Sequence, residues 1–232
     1  MHKPIVMGPS DGDVPAVTVH AIEAERARWS AAARPLGTVS PPGTVRGVTK
    51  TMIEKLEGHT ARVLIDKLGE RLAFERTAVR LYDALLAKYE AAVVHPGGPT
   101  RREIEQIRDE EIRHFAIVRD AILQLGADAT AMTPCGDVVG VAGQGWVQVL
   151  TDPRSTLSQC LVVMLGVEVT DEEGWELLIT LAESLGFADI AERFRFALFE
   201  EEQHAVCVRR WVGAAVIGPT GARRTFDDET AI

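Results

Sequence analysis

The chain has 232 residues, 46% of them hydrophobic and 25% charged, with a net charge of −9. These proportions are ordinary for a soluble globular protein, and the acidic balance lacks the basic footprint that nucleic-acid binding requires, so no nucleic-acid partner is expected. Cys135, Cys160 and Cys207 are widely spaced and form no CxxC pair; this argues against a disulfide framework or a zinc ribbon and favours a reducing compartment. No charged start leads into an uninterrupted apolar run, so no signal peptide is expected. The apolar run from Cys160 to Val169 is too short to span a membrane. The expectation is a cytoplasmic protein with no membrane partner.

Residues 1–58 are punctuated by Pro4, Pro9, Pro15, Pro35, Pro41 and Pro42 and by scattered glycines, which break regular structure. They read as an N-terminal arm with one short helix, from about Val19 to Ala33. Helical periodicity fills residues 59–215. The first long helix should run from near Thr60 to about Ala92, with Gly69 inside it costing about 1 kcal/mol relative to alanine. His95-Pro96-Gly97-Gly98 makes a short turn to an antiparallel neighbour. The second helix opens on a capping box, Thr100 with Glu103, and stops at Gly126. Ala127 to Thr151 is a long, Gly- and Val-rich connection, with a helical or strand-like piece within Asp137–Leu150. The third helix is expected to start at Asp152-Pro153 and end at about Leu185. The fourth is expected to start at Asp189, with Glu192 at its third position, and to end near Val212 or Gly213. Residues 216–232 read as an irregular tail. The fold class is all-α.

Apolar stripes carry the chemistry. In the last helix the stripe runs Ile190, Phe194, Ala197, Glu201, His204, Val208, Trp211. In the second it runs Ile104, Ile107, Glu111, His114, Val118, Ile122. Steps of three and four mark a core-facing side, and a Glu and a His at i and i+3 share that side. A carboxylate in a core costs several kcal/mol unless it is paired or bound to a metal. The two Glu-x-x-His copies are also both followed by Val-Arg, at Val118-Arg119 and Val208-Arg209. Two further stripes each carry a lone Glu. Glu75 precedes Tyr82 and Glu168 precedes Trp175, both by seven residues. The order is Glu, Glu-x-x-His, Glu, Glu-x-x-His. The candidate metal residues are therefore Glu75, Glu111, His114, Glu168, Glu201 and His204.

This ligand set resembles the ferritin-like superfamily of di-iron and di-manganese carboxylate proteins, over roughly residues 60 to 215, in its rubrerythrin-like or manganese-catalase-like branch. The resemblance implies a ferritin-like four-helix bundle with a long crossover between helices two and three. It implies two iron or two manganese ions held by the six residues. It further implies an oxidoreductase reacting with dioxygen or peroxide, and Tyr82 as a redox-active ring near the metals. No CxxC…CxxC pair is present for a rubredoxin-type iron centre, so an external electron donor is required. Ferroxidation with iron storage in a large shell is the alternative, as is a structural bundle with a vestigial site. Carboxylates are hard donors and imidazole suits first-row metals, so the ligands do not separate iron from manganese. A homodimer is the default assembly.

The neighbouring acids divide by pattern. Asp109, Glu110, Glu172, Glu173, Glu200 and Glu202 read as solvated. Asp171, three residues after Glu168, is a candidate extra ligand. Asp83 and Asp120 are candidates by type for orienting the histidines. A buried ion-pair network through Arg76, Arg119 or Arg209 is the competing account of the buried glutamates.

Overall fold

A computed structural model describes residues 19–39 and 59–218, and among them every regular element is a helix. The chain divides into two compact units, residues 1–35 and 36–232. The first unit contains α1 (Val19–Ala32), one residue shorter than the sequence reading. Its Trp29 is 65% exposed.

The second unit contains α2 (His59–Glu90), α3 (Arg101–Gln124), α4 (Pro134–Ala142), α5 (Gln144–Thr151), α6 (Leu157–Ser184) and α7 (Ala188–Val216). Cross-helix ion pairs and hydrogen bonds fix the directions. Glu90 and Asp83 of α2 meet Arg101 and Arg108 of α3, so these helices run antiparallel. Glu103 of α3 meets Arg210 of α7, and Gln124 meets Asp189; these too are antiparallel. Glu183 of α6 pairs with Arg195 of α7. Lys88, late in α2, donates to the carbonyls of Asp152 and Ser155 just before α6, while Arg71, early in α2, reaches Asp171 inside α6. Each long helix thus packs on two antiparallel neighbours, α2 on α3 and α6, and α7 on α3 and α6. Their apolar stripes form two buried clusters. One is centred on Leu68, Val118, Trp175 and Phe194, the other on Leu85, Ile107, Leu161 and Trp211. Glu75, Glu111, Glu168 and Glu201 fall between these groups in all four helices.

Several boundaries differ from the sequence reading. The Thr100–Glu103 capping box forms as expected. The third long helix does not begin at Asp152-Pro153. Asp152 closes α5, and its carboxylate takes the backbone N–H and guanidinium of Arg154. Thr156 and Gln159 form the capping box that starts α6 instead. Asp189 is not an N-cap: Gly186, at φ 74°, turns the chain so that Phe187 takes that position. Asp189 lies in the first turn and accepts from Gln124. The long connection carries two helices, α4 and α5, both packed on α2.

Gly69 has a tertiary reason. The N-cap of α4, Thr133, rests on α2, donating its hydroxyl to the Asp66 carbonyl at 3.2 Å, and the Cys135 N–H donates to the Asp66 carboxylate at 2.8 Å. A Cβ on Gly69 would fall on the Thr133 hydroxyl. Gly166, on the outside of α6, faces open space. Gly69→Ala is therefore expected to destabilise by about 1–3 kcal/mol through overpacking, against its helix propensity. Gly166→Ala should stabilise by about 0.5–1 kcal/mol. Urea unfolding midpoints of the two variants check both signs.

Candidate metal centre

The four long helices bring all six predicted residues together. Glu75 of α2, Glu111 and His114 of α3 and Glu201 of α7 offer ligand atoms within 4.8 Å of one another. Glu111, Glu168 of α6, Glu201 and His204 do the same. Glu111 and Glu201 belong to both groups. Each Glu-x-x-His copy thus supplies one shared carboxylate and one private imidazole, and the lone glutamates supply one carboxylate to each group. All six side chains are buried.

The imidazole rings point Nδ1 inward. His114 Nδ1 lies 2.6 Å from Glu201 Oε1 and 3.8 Å from Glu111 Oε2. His204 Nδ1 lies 3.1 Å from Glu201 Oε2 and 3.5 Å from Glu111 Oε1. Outward, His114 Nε2 bonds Glu200 Oε2 at 2.9 Å and His204 Nε2 bonds Glu110 Oε2 at 2.8 Å. Arg113 lies 2.8 Å from Glu200 and 3.3 Å from Glu110 and links the two carboxylates. An acceptor on Nε2 places the N–H there and leaves the Nδ1 lone pair for a cation.

Glu110 and Glu200 are therefore not on solvated faces, as their polarity and position predicted. The signal was present: both copies read Glu-Glu-x-x-His, and the first Glu of each orients the histidine of the other copy. Asp83 and Asp120 do not orient these histidines. Asp83 faces Arg108 and Asp120 takes Arg119, both near the surface. The buried cation is also not Arg76, Arg119 or Arg209 but Arg71, whose Nε lies 2.9 Å from Glu75 Oε1 and whose Nη1 lies 3.0 Å from Asp171 Oδ1. Asp171 is buried but outside both ligand groups. Tyr82 is fully buried and donates its hydroxyl to Glu168 Oε1 at 2.6 Å.

The donor set fits divalent cations. Both oxygens of Glu75 and Glu111, Oε2 of Glu168, Oε1 of Glu201 and Nδ1 of His114 are buried without a well-aligned hydrogen bond. Five acids lie buried here against a single arginine. Leaving so many acceptors unsatisfied is costly, and bound cations would answer the charge and the geometry together.

Protons compete for the same atoms. Burial, and then the charge of Asp171, pushes the Glu75 carboxyl well above the usual range. Burial does the same to Glu168 and to Asp171. Burial alone would lower His114, but the carboxylates of Glu111, Glu200 and Glu201 around its ring outweigh it and push it up to about 12. His204 is raised well above its usual value against the same burial, by Glu110, Glu111 and Glu201. Tyr82 is held protonated, by burial first and then by the Glu168 charge. A histidine raised in this way carries its proton at neutral pH, and ligation must displace it.

No protein family, curated protein or solved structure matches the chain. Fold and site together define a helical protein with two buried Glu/His clusters, joined by two carboxylates and able to hold metal ions.

Metal affinity should rise with pH between 6 and 8, with at least about one proton released per histidine and more where Glu75 and Glu168 also give up theirs. Calorimetry in buffers of different ionisation enthalpy counts those protons. Glu110→Ala and Glu200→Ala should each weaken metal binding by about 10–100-fold, with folding unchanged by circular dichroism.

Proposed function

We propose that this chain is a dinuclear carboxylate protein, holding two iron or two manganese ions, and an oxidoreductase that reacts with dioxygen or peroxide. The observation that carries the reading is the sharing of Glu111 and Glu201 between the two clusters. Carboxylates shared between two clusters would let two ions act on one substrate. When bound, such ions supply two electrons to a single oxygen or peroxide molecule.

The protein groups do the rest. Glu75 and Glu168 would each serve one ion alone, and His114 and His204 would each offer Nδ1. Glu200 and Glu110 hold the opposite N–H and fix the ring planes. Tyr82 orients Glu168 through its hydroxyl, and its ring is the redox-active aromatic of the site. The apolar clusters on either side keep bulk water away. Electrons come from an external donor. In this reading the long helices form a ferritin-like four-helix bundle over residues 59–215, with α4 and α5 on the crossover and a homodimeric assembly; most of the expected arm (1–18 and 40–58) and tail (219–232) lies outside the described residues.

Protein produced with both iron and manganese supplied should contain two ions per chain, and the dominant metal identifies the chemistry. Fewer than about one ion per chain after anaerobic reconstitution removes the reading. Glu111→Ala with Glu201→Ala should abolish binding of both ions, because each residue serves both. Tyr82→Phe should retain two ions and lose any tyrosyl radical signal that appears on adding oxidant, as read by electron paramagnetic resonance.

A further inference from the structure

The two clusters match in their ligands but not in what touches their terminal glutamates. Glu168 Oε1 accepts a neutral hydroxyl from Tyr82 at 2.6 Å. Glu75 Oε1 faces a full positive charge, Arg71 Nε at 2.9 Å. The internal repeat gives Arg71 no counterpart, since the residue four before Glu168 is Met164. It gives Asp171 none either, since the residue three after Glu75 is Ala78.

Arg71 sits in a prepared seat. It is 4% exposed. Its Nη1 reaches both the carboxylate and the backbone carbonyl of Asp171, each at 3.0 Å, and its guanidinium carbon lies 4.1 Å from the centre of the Phe74 ring. On α6 the facing residue is Gly174, where a Cβ would fall on Nη1. Glycine inside a helix is unfavourable relative to alanine, and here its absent side chain is the space the guanidinium fills. A cavity of about 60 Å³, lined by Lys67, Phe74, Val139 and Leu178 among others, ends on the same arginine and has room for small polar molecules.

Resting on the dinuclear reading, we propose that Arg71, seated by Gly174 and Asp171, makes the two ion positions unequal. The ion held by Glu75 and His114 is the weaker and more exchangeable. Arg71 Nε occupies Glu75 Oε1 directly at 2.9 Å, and a carboxylate already paired with a guanidinium donates less charge to a divalent cation; at longer range the Asp171 charge offsets that of the guanidinium. The Tyr82 hydroxyl also takes one oxygen of Glu168, but it carries no net charge and withdraws less from the carboxylate than a guanidinium does. Asp171, outside both ligand groups, keeps the guanidinium in place. Arg71 and Asp171 are thus positioning residues that act through Glu75.

The test is anaerobic titration of the metal-free chain with Co(II), followed by calorimetry and visible absorption. Two ions should bind in two steps whose affinities differ by about 10–100-fold. Glu75→Gln should remove the weaker step and Glu168→Gln the tighter one. Arg71→Met combined with Asp171→Asn removes both charges together and should bring the two steps into one. Gly174→Ala displaces the guanidinium in a variant that favours the helix, and should narrow the gap as well. Two ions of equal affinity in the unmodified chain, or a wider gap in the double variant, overturns the inference and leaves the dinuclear reading standing. A single ion in both the unmodified chain and the double variant, or no ion at all, defeats the dinuclear reading itself.

Discussion

Five buried acids face one buried arginine at the centre of this chain, and the surrounding structure answers that imbalance. Carboxylates in an apolar interior are tolerated only with countercharge or protons. Here the countercharge is arranged in layers. Two histidines face the acids directly, two outer glutamates grip those histidines, and Arg113 ties the outer glutamates together near the surface. Apolar clusters above and below isolate the layer. The same isolation that makes the acids costly makes them strong ligands for a cation.

The internal repeat gives the layer its near-symmetry. Glu110-Glu111 with His114, and Glu200-Glu201 with His204, exchange partners across the α3–α7 interface, so that each helix completes the other's imidazole. The lone glutamates of α2 and α6 close the remaining sides. Where the repeat is broken, by Arg71 and Asp171 on one side and by Tyr82 on the other, the two halves acquire different electrostatics around matching residues.

Glycines mark where helices give way to tertiary needs. Gly69 admits Thr133 and so docks the long connection onto α2; Gly174 admits the Arg71 guanidinium. Helix propensity counts both as defects. Their value appears only when a second segment occupies the space where a side chain would stand.

The sequence by itself determined the four long helices and the six residues on their buried sides, because the periodicity of Glu75, Glu111, His114, Glu168, Glu201 and His204 within apolar stripes is a local property of each helix; it did not separate helix from strand in the connection that carries α4 and α5. It also marked the Thr100 cap, where the box closes within one turn. Contacts between helices were decided only by the tertiary structure. Glu110 and Glu200 look solvated from their own helices and become histidine acceptors only when α3 and α7 are set antiparallel. Arg71 and Asp171 are a hundred residues apart in sequence, and no pattern within either helix names the other. Asp152 and Asp189 carry ordinary capping chemistry, but Arg154 and Gln124 offered each a competing partner. Periodicity reports which side of a helix is buried; which residues meet there depends on the register between helices, and that is fixed by packing.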